Sequence, residues 1–370
     1  MQRTTPPFRA DHVGSLLRPK ELLDARESHK AGRLSAGELR KVEDKCIAAA
    51  VKMQEDIGLK SITDGEFRRG SWHMDFLYQV GGVKRVQEDL KIKFNNAQGG
   101  IEFTPSALRV VDRLRLEKCI FGPDFEYLKS VTKGTPKLTI PSPSMMHYRG
   151  GQSIIDQSVY PNIKDFWDDL INVYAQEVVE LGKLGCRYLQ LDDTSLAYLN
   201  DPKQREYIAQ YGGDAEHQHL TYIRLINGAV AQKPADMTIG VHLCRGNFRS
   251  SWVASGGYDY VAEAMFSELN VNAFFLEYDD ERSGGFEPLR FVPKNKFVVL
   301  GLITSKRGEL EDKDAIKRRI DQAAKFMPLD QICLSPQCGF SSTQEGNSLS
   351  LEQQIAKLKL VVEISREVWG

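Results

Sequence analysis

The sequence lacks the features that mark membrane-spanning, secreted and nucleic-acid-binding proteins. No stretch approaches the roughly 18 consecutive apolar residues of a membrane-spanning helix, and the N-terminal MQRTTPPFRADHVGS has no apolar core of the signal-peptide type. The 49 lysines and arginines balance 50 aspartates and glutamates, so a formal net charge of -1 provides no positive field for nucleic acid or an anionic membrane. We therefore expect a cytoplasmic protein that binds neither nucleic acid nor membrane.

Cysteine is also sparse, with six residues in a chain of 370, and low-complexity linkers and short repeats are absent. In a reducing compartment we expect thiols or metal ligands and not disulfides. Four cysteines lie within helical or strand patterns and are expected to be buried as small hydrophobic residues, namely Cys46, Cys119, Cys186 and Cys333. Hydrophobic residues make up 41% and charged residues 27%, which is ordinary for a globular protein.

Short apolar runs alternate with segments of helical periodicity along the whole chain. Seven runs are each followed by a polar residue or a proline, and they occupy 60–63, 137–140, 187–191, 237–241, 272–276, 297–303 and 331–334. A weaker run, RADHVGS, precedes them near the N-terminus. Because the runs are almost continuously apolar, they predict parallel strands that are buried on both faces.

The segments between the runs carry helix start and stop signals. Ser35 and Glu38 form a capping-box pattern before a helical segment that stops at Gly58. Ser350 and Gln353 repeat the pattern at the start of 350–368. Further helices are predicted within 163–185, 202–233, 254–268 and 311–327.

Eight alternating strand–helix units predict a (β/α)8 TIM barrel, an α/β fold that needs about 250 residues. We expect residues 1–370 to form a single domain of this kind, with the surplus length in an excursion at 80–136 between strands two and three. Its stretch KIKFNNAQGGIEFTP is typical of a β-hairpin that turns at Gly99 and Gly100. An open doubly wound sheet is the alternative that the same alternation allows.

Polar residues follow the predicted strands at nearly every carboxyl end, where barrel enzymes carry their active sites. They are Asp64 and Glu66 after strand two, Asp192 and Asp193 after strand four, His242 and Cys244 after strand five, Glu277 after strand six and Cys338 after strand eight. His242 and Cys244 are two residues apart, so both can face the barrel mouth. One histidine, two cysteines and one glutamate form a ligand set suited to tetrahedral zinc.

Six motifs resemble the cobalamin-independent methionine synthase family, and the likeness covers nearly the whole chain. The motifs are HVGSLLRP, ITDGEFRRGSW, YLQLDD, VHLCRGN, FFLEYDD and LSPQCGF. The chain is similar to the catalytic, C-terminal barrel of that family, and more closely to its short, single-barrel bacterial members. The resemblance implies Zn²⁺ ligands at His242, Cys244, Glu277 and Cys338. It implies amino-acid-binding positions at Val13, Gly14, Ser15, Glu66 and Asp192.

The resemblance further implies transfer of a methyl or other alkyl group to a thiol, most readily homocysteine to give methionine. Two cysteinates and one glutamate leave such a zinc site with excess negative charge, so a bound sulfur stays a nucleophilic thiolate. Glu66 and Asp192, the latter also expected to act in catalysis, would pair with the substrate ammonium, and the backbone at Gly14 and Ser15 would bind its carboxylate. The structural alternative for both carboxylates is a salt bridge to Arg68, Arg69 or Arg245.

Three positions depart from the family pattern on the side of the methyl donor. Lys306 stands where the family has its proton-donor histidine, His147 replaces a tryptophan that stacks on folate, and Tyr198 replaces a folate-contacting carboxylate. A lysine differs from a histidine in pKa, and imidazole offers less stacking surface than indole. We therefore expect Lys306 to act beside the leaving group and methyltetrahydrofolate to be a poor donor.

The expected partners are a small-molecule thiol and a methyl donor, and a homodimer is one assembly that the sequence allows. Other functions stay open at this stage: alkylation of a different thiol such as coenzyme M, hydrolysis by a zinc-activated water, or a structural zinc site in a binding protein. Hydrolytic sites favour histidine and carboxylate ligands, whereas two thiolates suit a bound sulfur. Structural sites are usually local in sequence, but these ligands are spread over almost a hundred residues.

Overall fold

The strands of the central sheet are the buried apolar runs of the sequence. A computed structural model describes residues 1–87, 92–95, 99–103 and 107–370. Its strands are β1 (Ser61–Ile62), β2 (Gly81–Val86), β3 (Ile92–Phe94), β4 (Ile101–Phe103), β5 (Ala107–Arg115), β6 (Thr135–Pro141), β7 (Tyr188–Asp193), β8 (Thr238–Leu243), β9 (Ala273–Glu277), β10 (Phe297–Ile303) and β11 (Ile332–Pro336). Seven of them form one parallel sheet in the order β1-β6-β7-β8-β9-β10-β11, so all seven apolar runs are confirmed as strands.

The sheet order follows the chain without the reversal that a doubly wound sheet has. The N-terminal segment predicted as the first strand makes one parallel bridge, between Ala10 and Leu334 at the β11 edge. On its other side the hydroxyl of Ser61 in β1 donates to Asp11 at 2.8 Å. The result is a mixed α/β fold whose parallel sheet curls into a half-barrel, consistent with a TIM-like barrel.

Helices lie between the strands along the chain, as the periodicity predicts. They are α1 (Lys20–Lys30), α2 (Ala36–Ile57), α3 (Met74–Leu77), α4 (Gly122–Val131), α5 (Ile163–Lys183), α6 (Ser195–Tyr198), α7 (Pro202–Gln210), α8 (Gln218–Val230), α9 (Ala262–Glu268), α10 (Lys313–Ala323) and α11 (Leu351–Trp369). Short 3-10 helices occupy Pro143–Met146, Gly151–Ile154, Glu281–Ser283, Glu287–Phe291 and Leu329–Gln331. Both predicted capping boxes are present, at Ser35 and Ser350, and Gly58 follows α2 with a left-handed φ of 98°.

Two predicted helical ranges differ in detail from the structure. The range 202–233 holds two helices, because Gly212 takes a φ of 80° in the turn between α7 and α8. The range 254–268 becomes helical only at Ala262, since Gly256 has a φ of 122° that no helix accommodates. Within the ranges that the structure describes, no helix is long and apolar enough to cross a membrane.

The residues between β1 and β6 contain two antiparallel strand pairs. β2 pairs with β5, and β3 pairs with β4. The backbones of Asn95 and Trp252 exchange hydrogen bonds of 2.6 and 2.9 Å, so this region contacts the loop after β8. The turn predicted around Gly99 and Gly100 includes residues 96–98, which lie outside the described residues. The hairpin there therefore stays a prediction.

Side chains fill the inside of the curled sheet. Alternate positions of the strands and the N-terminal segment contribute an apolar cluster of Val13, Tyr188, Phe275, Val299 and Cys333. Beside it the fully buried Lys137 and Asp11 form a salt bridge of 3.2 Å. A packed interior leaves space for a ligand only at the ends of the strands, and in barrels the carboxyl ends carry the active site.

Candidate metal centre

His242 lies beside two cysteines at the carboxyl end of the sheet. His242 belongs to β8, Cys244 follows it by two residues and faces the same way, and Cys338 comes two residues after β11. The Sγ atoms of Cys244 and Cys338 are 3.3 Å apart. The potential ligand atoms of all three buried side chains lie within 4.8 Å of one another. In the part of the chain that the structure describes, this is the group arranged to hold a metal ion.

A hydrogen bond fixes the orientation of the His242 ring. Its Nδ1 lies 3.0 Å from Oδ1 of Asp192, and that oxygen also accepts from Nε2 of Gln190 at 2.7 Å. His242 Nε2 is left buried without a hydrogen-bond partner among the described residues. A carboxylate that binds one ring nitrogen and leaves the other for the metal is the usual support of a metal-binding histidine.

The chemistry of these donors fits zinc. Both cysteines are free, and as protein groups alone they share a proton. The contact with Cys244 and the neighbouring His242 lower the pKa of Cys338 well below its usual range, while the same thiol contact and burial raise the pKa of Cys244. Zinc would replace this proton, because its cysteine ligands are thiolates. Two sulfurs on tetrahedral zinc lie about 3.8 Å apart, so the pair needs only a small widening.

A cavity of about 360 Å³ opens onto the three side chains. It brings together nine of the residues singled out from the sequence, namely Val13, Ser15, Glu66, Asp192, Asp193, Tyr198, His242, Cys244 and Cys338. Gly14 lies between the lining residues Val13 and Ser15 with a φ of 143°, and a Cβ there would come within 2.8 Å of Cγ2 of Thr139. The close approach explains a glycine at this position.

Glu66 is held in an unusual backbone conformation at the cavity wall. Its φ of 59° is uncommon for a residue with a side chain, and the Arg18 guanidinium fixes it by donating to the Glu66 carbonyl at 2.9 Å. One carboxylate oxygen accepts from Thr139 at 3.0 Å, whereas Oε2 is buried without a hydrogen bond among the described residues. The alternative salt bridge to Arg69 exists, and it joins the guanidinium to this same Oε2 at 3.8 Å, beyond hydrogen-bond distance. A constrained backbone with an open carboxylate oxygen indicates a binding position.

Glu277 lies near the three-residue group, but its carboxylate has other partners. Oε1 accepts from Nζ of Lys306 at 3.0 Å, and Oε2 accepts from the backbone N–H of Arg245 at 2.9 Å. Burial alone would raise the pKa of Glu277, but the positive charges of Lys306 and two arginines lower it to about 2. The Glu277 carboxylate is therefore ionised, and in the structure it forms an ion pair with Lys306.

Lys306 belongs to a buried cluster of charges outside the cavity lining. Its Nζ lies 3.7 Å from Asp279, and the Arg282 guanidinium lies 3.7 Å from Glu277 and 3.9 Å from Asp279. The Arg282 guanidinium is also paired with Asp280 at 2.6 Å, so two cations face three carboxylates. The sequence analysis did not single out Asp279 or Arg282, although the motif FFLEYDD contains the former.

The two other residues predicted on the donor side are separated by the fold. Tyr198 lines the cavity, where a Cβ added to Gly246 would come within 2.6 Å of its hydroxyl. His147 instead lies in the core, with Nδ1 3.0 Å from the hydroxyl of Tyr222 and its ring centroid 4.7 Å from that of Trp167. Burial lowers the pKa of His147 to about 4, so the ring is neutral.

Many further residues line the cavity that the sequence analysis did not predict, and three of them carry polar or aromatic groups suited to a ligand. They are Trp72, His73 and Arg149. Trp72 is the last residue of the motif ITDGEFRRGSW and His73 follows it directly, so this motif is a sequence signal for both residues. Arg149 follows the stretch PSPSMMHY, which carries no motif for a ligand site, and its position beside the cavity depends on the 3-10 helix Pro143–Met146 that precedes it.

The fold and the site together define the class of the protein. It is a barrel enzyme of TIM-like α/β fold, with a candidate metal centre in which a buried His–Cys–Cys group lies beside a cavity. Residues 144–367, more than half of the chain, match the family described as the catalytic domain of cobalamin-independent synthase. The chain belongs to the cobalamin-independent methionine synthase family and is a methyltransferase of that type. The family inferred from the six motifs is therefore confirmed.

Relatives span almost the whole chain. The chain is 47% identical to YxjH of Bacillus subtilis over 365 residues, which is 98% of this chain and 95% of YxjH. It is 23% identical to a methionine synthase of Pyrococcus furiosus over 94% of this chain and 88% of the relative. Among solved structures, a candidate vitamin-B12-independent methionine synthase from Listeria monocytogenes matches with a TM-score of 0.79 and 40% identity over 100% of both chains.

Proposed function

We propose that the protein transfers a methyl or other alkyl group to a small thiol, with homocysteine as acceptor and methionine as product. One observation carries the proposal: the His242–Cys244–Cys338 group opens onto a cavity that also holds the carboxylates of Glu66 and Asp192. The site would stand on a single closed (β/α)8 barrel over residues 1–370, with the N-terminal segment as the eighth strand position.

We propose Zn²⁺ as the cofactor, held by His242, Cys244, Cys338 and, as the fourth ligand, Glu277. The orphaned Nε2 of His242 and the paired thiols support the first three positions. Glu277 must exchange its contact with Lys306 to reach the metal. When bound, zinc lowers the pKa of a substrate thiol, so that the nucleophilic thiolate is available at neutral pH.

The residues of the chain bind and orient the amino acid. Glu66 Oε2 and the second oxygen of Asp192 accept hydrogen bonds from the substrate ammonium. The backbone N–H groups of Gly14 and Ser15 donate to no acceptor among the described residues, so they are available for the substrate carboxylate. Asp192 also keeps Nε2 of His242 turned towards the cysteines.

X-ray absorption at the zinc edge tests this proposal. The zinc protein should show two sulfur ligands alone and gain a third on addition of homocysteine, whereas a hydrolase or a structural site should not. A third sulfur with coenzyme M but not with homocysteine would replace the proposed acceptor. Incubation with homocysteine and a panel of methyl donors, methyltetrahydrofolate included, should then yield methionine by mass spectrometry.

A further inference from the structure

The cavity has a second region, built from Trp72, His73, Arg149 and Tyr198, which we call the Arg149 chamber. We propose that the Arg149 chamber binds the methyl donor through an anionic group, a carboxylate or a phosphate, with Arg149 as its anchor. That this ligand is the methyl donor rests on the function proposed above. The existence of an anion site rests on the contacts of the chamber itself.

Arg149 carries a positive charge without a carboxylate partner among the described residues. Its electrostatic neighbours are the phenols of Tyr148, Tyr198 and Tyr207, which are neutral near pH 7, and burial lowers the pKa of its guanidinium. Arg149 is half-buried in the cavity wall, and a cation partly withdrawn from water is destabilised unless it is paired. A ligand that brings a negative charge would supply the missing partner, and a guanidinium binds carboxylate or phosphate with two parallel hydrogen bonds.

Other arginines at this end of the barrel differ from Arg149 in this respect. The Arg69 guanidinium donates to the Thr139 carbonyl at 2.7 Å. The Arg245 guanidinium donates to the Gly256 carbonyl at 2.8 Å and to the Glu277 carbonyl at 2.9 Å. Arg149, by contrast, lines the cavity and its guanidinium donates to no acceptor in the described ranges. Its N–H groups are thus available to a bound molecule.

His73 adds an independent sign of a ligand. The side chain is 5% exposed, and its Nε2 has no hydrogen-bond partner among the described residues. The Ser71 hydroxyl lies 3.1 Å from Nδ1 and already accepts from the Met74 N–H, so its proton is free to point at Nδ1. Burial and Arg149 keep His73 neutral by lowering its pKa. With Nδ1 as acceptor, Nε2 carries the proton and donates, as an anion requires.

The chamber is connected to the candidate metal centre through Tyr198. The Tyr198 hydroxyl interacts electrostatically with Arg149 and also with Cys244 and Cys338. A donor anchored at Arg149 would therefore present its alkyl group within reach of a thiol at the cysteines. Trp72, whose ring centroid is 4.4 Å from that of His73, adds a flat apolar wall, so the anion should be carried on a planar or apolar skeleton.

Binding of small probes to the zinc-loaded protein tests the proposal. We would titrate benzoate, phenyl phosphate and the neutral analogue benzamide by calorimetry into the wild type, Arg149→Met and Arg149→Lys. The matched control is Arg85→Met, which removes a cavity-lining arginine that is exposed and lies over the Tyr78 ring. The Arg149→Lys variant keeps the charge and covers the case in which the methionine variant does not fold.

We expect Arg149→Met to weaken anion binding by about 10-fold or more and to leave benzamide nearly unchanged, because a charge-assisted hydrogen bond is lost. Arg149→Lys should retain part of the affinity for the anion, because it keeps the charge but cannot make the two parallel hydrogen bonds of a guanidinium. The tighter of the two anions identifies the carboxylate or phosphate class. Equal binding of benzoate and benzamide, or an equal loss in Arg85→Met, would overturn the proposal.

Competition with homocysteine separates this proposal from the function of the site. If the chamber serves a donor, the preferred anion and homocysteine should bind at the same time. Displacement of homocysteine by the anion would show that Arg149 holds the amino-acid carboxylate, which would overturn the donor assignment. If homocysteine does not bind at all, the proposed acceptor fails, while the anion titration still decides on Arg149.

Discussion

The ammonium of Lys306 lies 3.0 Å from Oε1 of Glu277. The sequence suggested separate roles for these two residues, one beside the leaving group and one on the metal. In the structure they form a buried ion pair, to which Asp279 adds a second carboxylate at 3.7 Å from Lys306. The availability of Glu277 as a ligand therefore depends on Lys306.

Replacement of Lys306 tests this dependence. Lys306→Met should keep zinc, because His242 and the two cysteines do not contact it, but should lower turnover by about 10-fold through the changed charge around Glu277. Metal analysis and steady-state kinetics measure the two effects. Lys296→Met is the matched control, since Lys296 is also buried but donates to the carbonyls of Phe266 and Leu269. Unchanged kinetics in Lys306→Met would contradict the prediction.

Zinc content is the second prediction. We expect about one Zn²⁺ per chain in the wild type and loss of most of it in Cys244→Ser and Cys338→Ser, while the core stays folded. Cys46→Ser, which alters a buried cysteine of α2, should keep full zinc. Metal analysis together with thermal melting provides the measurement. Full zinc occupancy in both site variants would show that these two cysteines do not hold the metal.

Discrimination between thiols is the third prediction. Glu66→Gln should weaken the binding of homocysteine by roughly 1.5–3 kcal/mol and leave the binding of a simple alkyl thiol almost unchanged, because only the amino acid carries an ammonium group. Asp192→Asn should show the same selectivity and also lose zinc affinity by about 10- to 100-fold, since Asp192 orients His242. Equal losses for both thiols in Glu66→Gln would assign these carboxylates a structural role.

The pH dependence of binding is the fourth prediction. Burial raises the pKa of Glu66 to about 7, Asp192 and Asp64 add to the rise, and Arg69 and Arg18 oppose it. The carboxylate binds an ammonium only when ionised, so affinity should increase as the pH rises through about 7 and level off above it. Methionine is the suitable probe, because it has no titrating thiol. Calorimetry should show a flat profile in Glu66→Gln, and an equally steep profile there would refute the assignment.

The buried ion pair of Lys137 and Asp11 gives the fifth prediction. Lys137→Met should lower the free energy of unfolding by about 3 kcal/mol, because Asp11 is left as an unpaired buried charge. The loss should lie at the low end of the usual range, since Asp11 keeps hydrogen bonds from Ser61 and Tyr188. Urea unfolding measures it. Lys52→Met, at an exposed pair with Asp56, should change stability by less than about 1 kcal/mol.

The sequence predicted most of the fold and those site residues that lie at the ends of strands. Continuous apolar runs can only be buried strands or helices, and their length and spacing settle which. Parallel strands bring their carboxyl ends to one edge, so His242, Cys244 and Cys338 were placed together before their contacts were known. Capping boxes at Ser35 and Ser350 are local in sequence and were found for that reason.

The remaining features needed the tertiary structure, because they depend on which side chains meet after packing. The sequence by itself determined the seven strands of the parallel sheet, the two capped helix starts at Ser35 and Ser350, and the family. Only the fold decided that Lys306 pairs with Glu277, that His147 turns into the core towards Tyr222, and that Arg149 faces a cavity. A side-chain contact between residues far apart in the chain depends on the angle and depth at which elements pack, which no local pattern encodes.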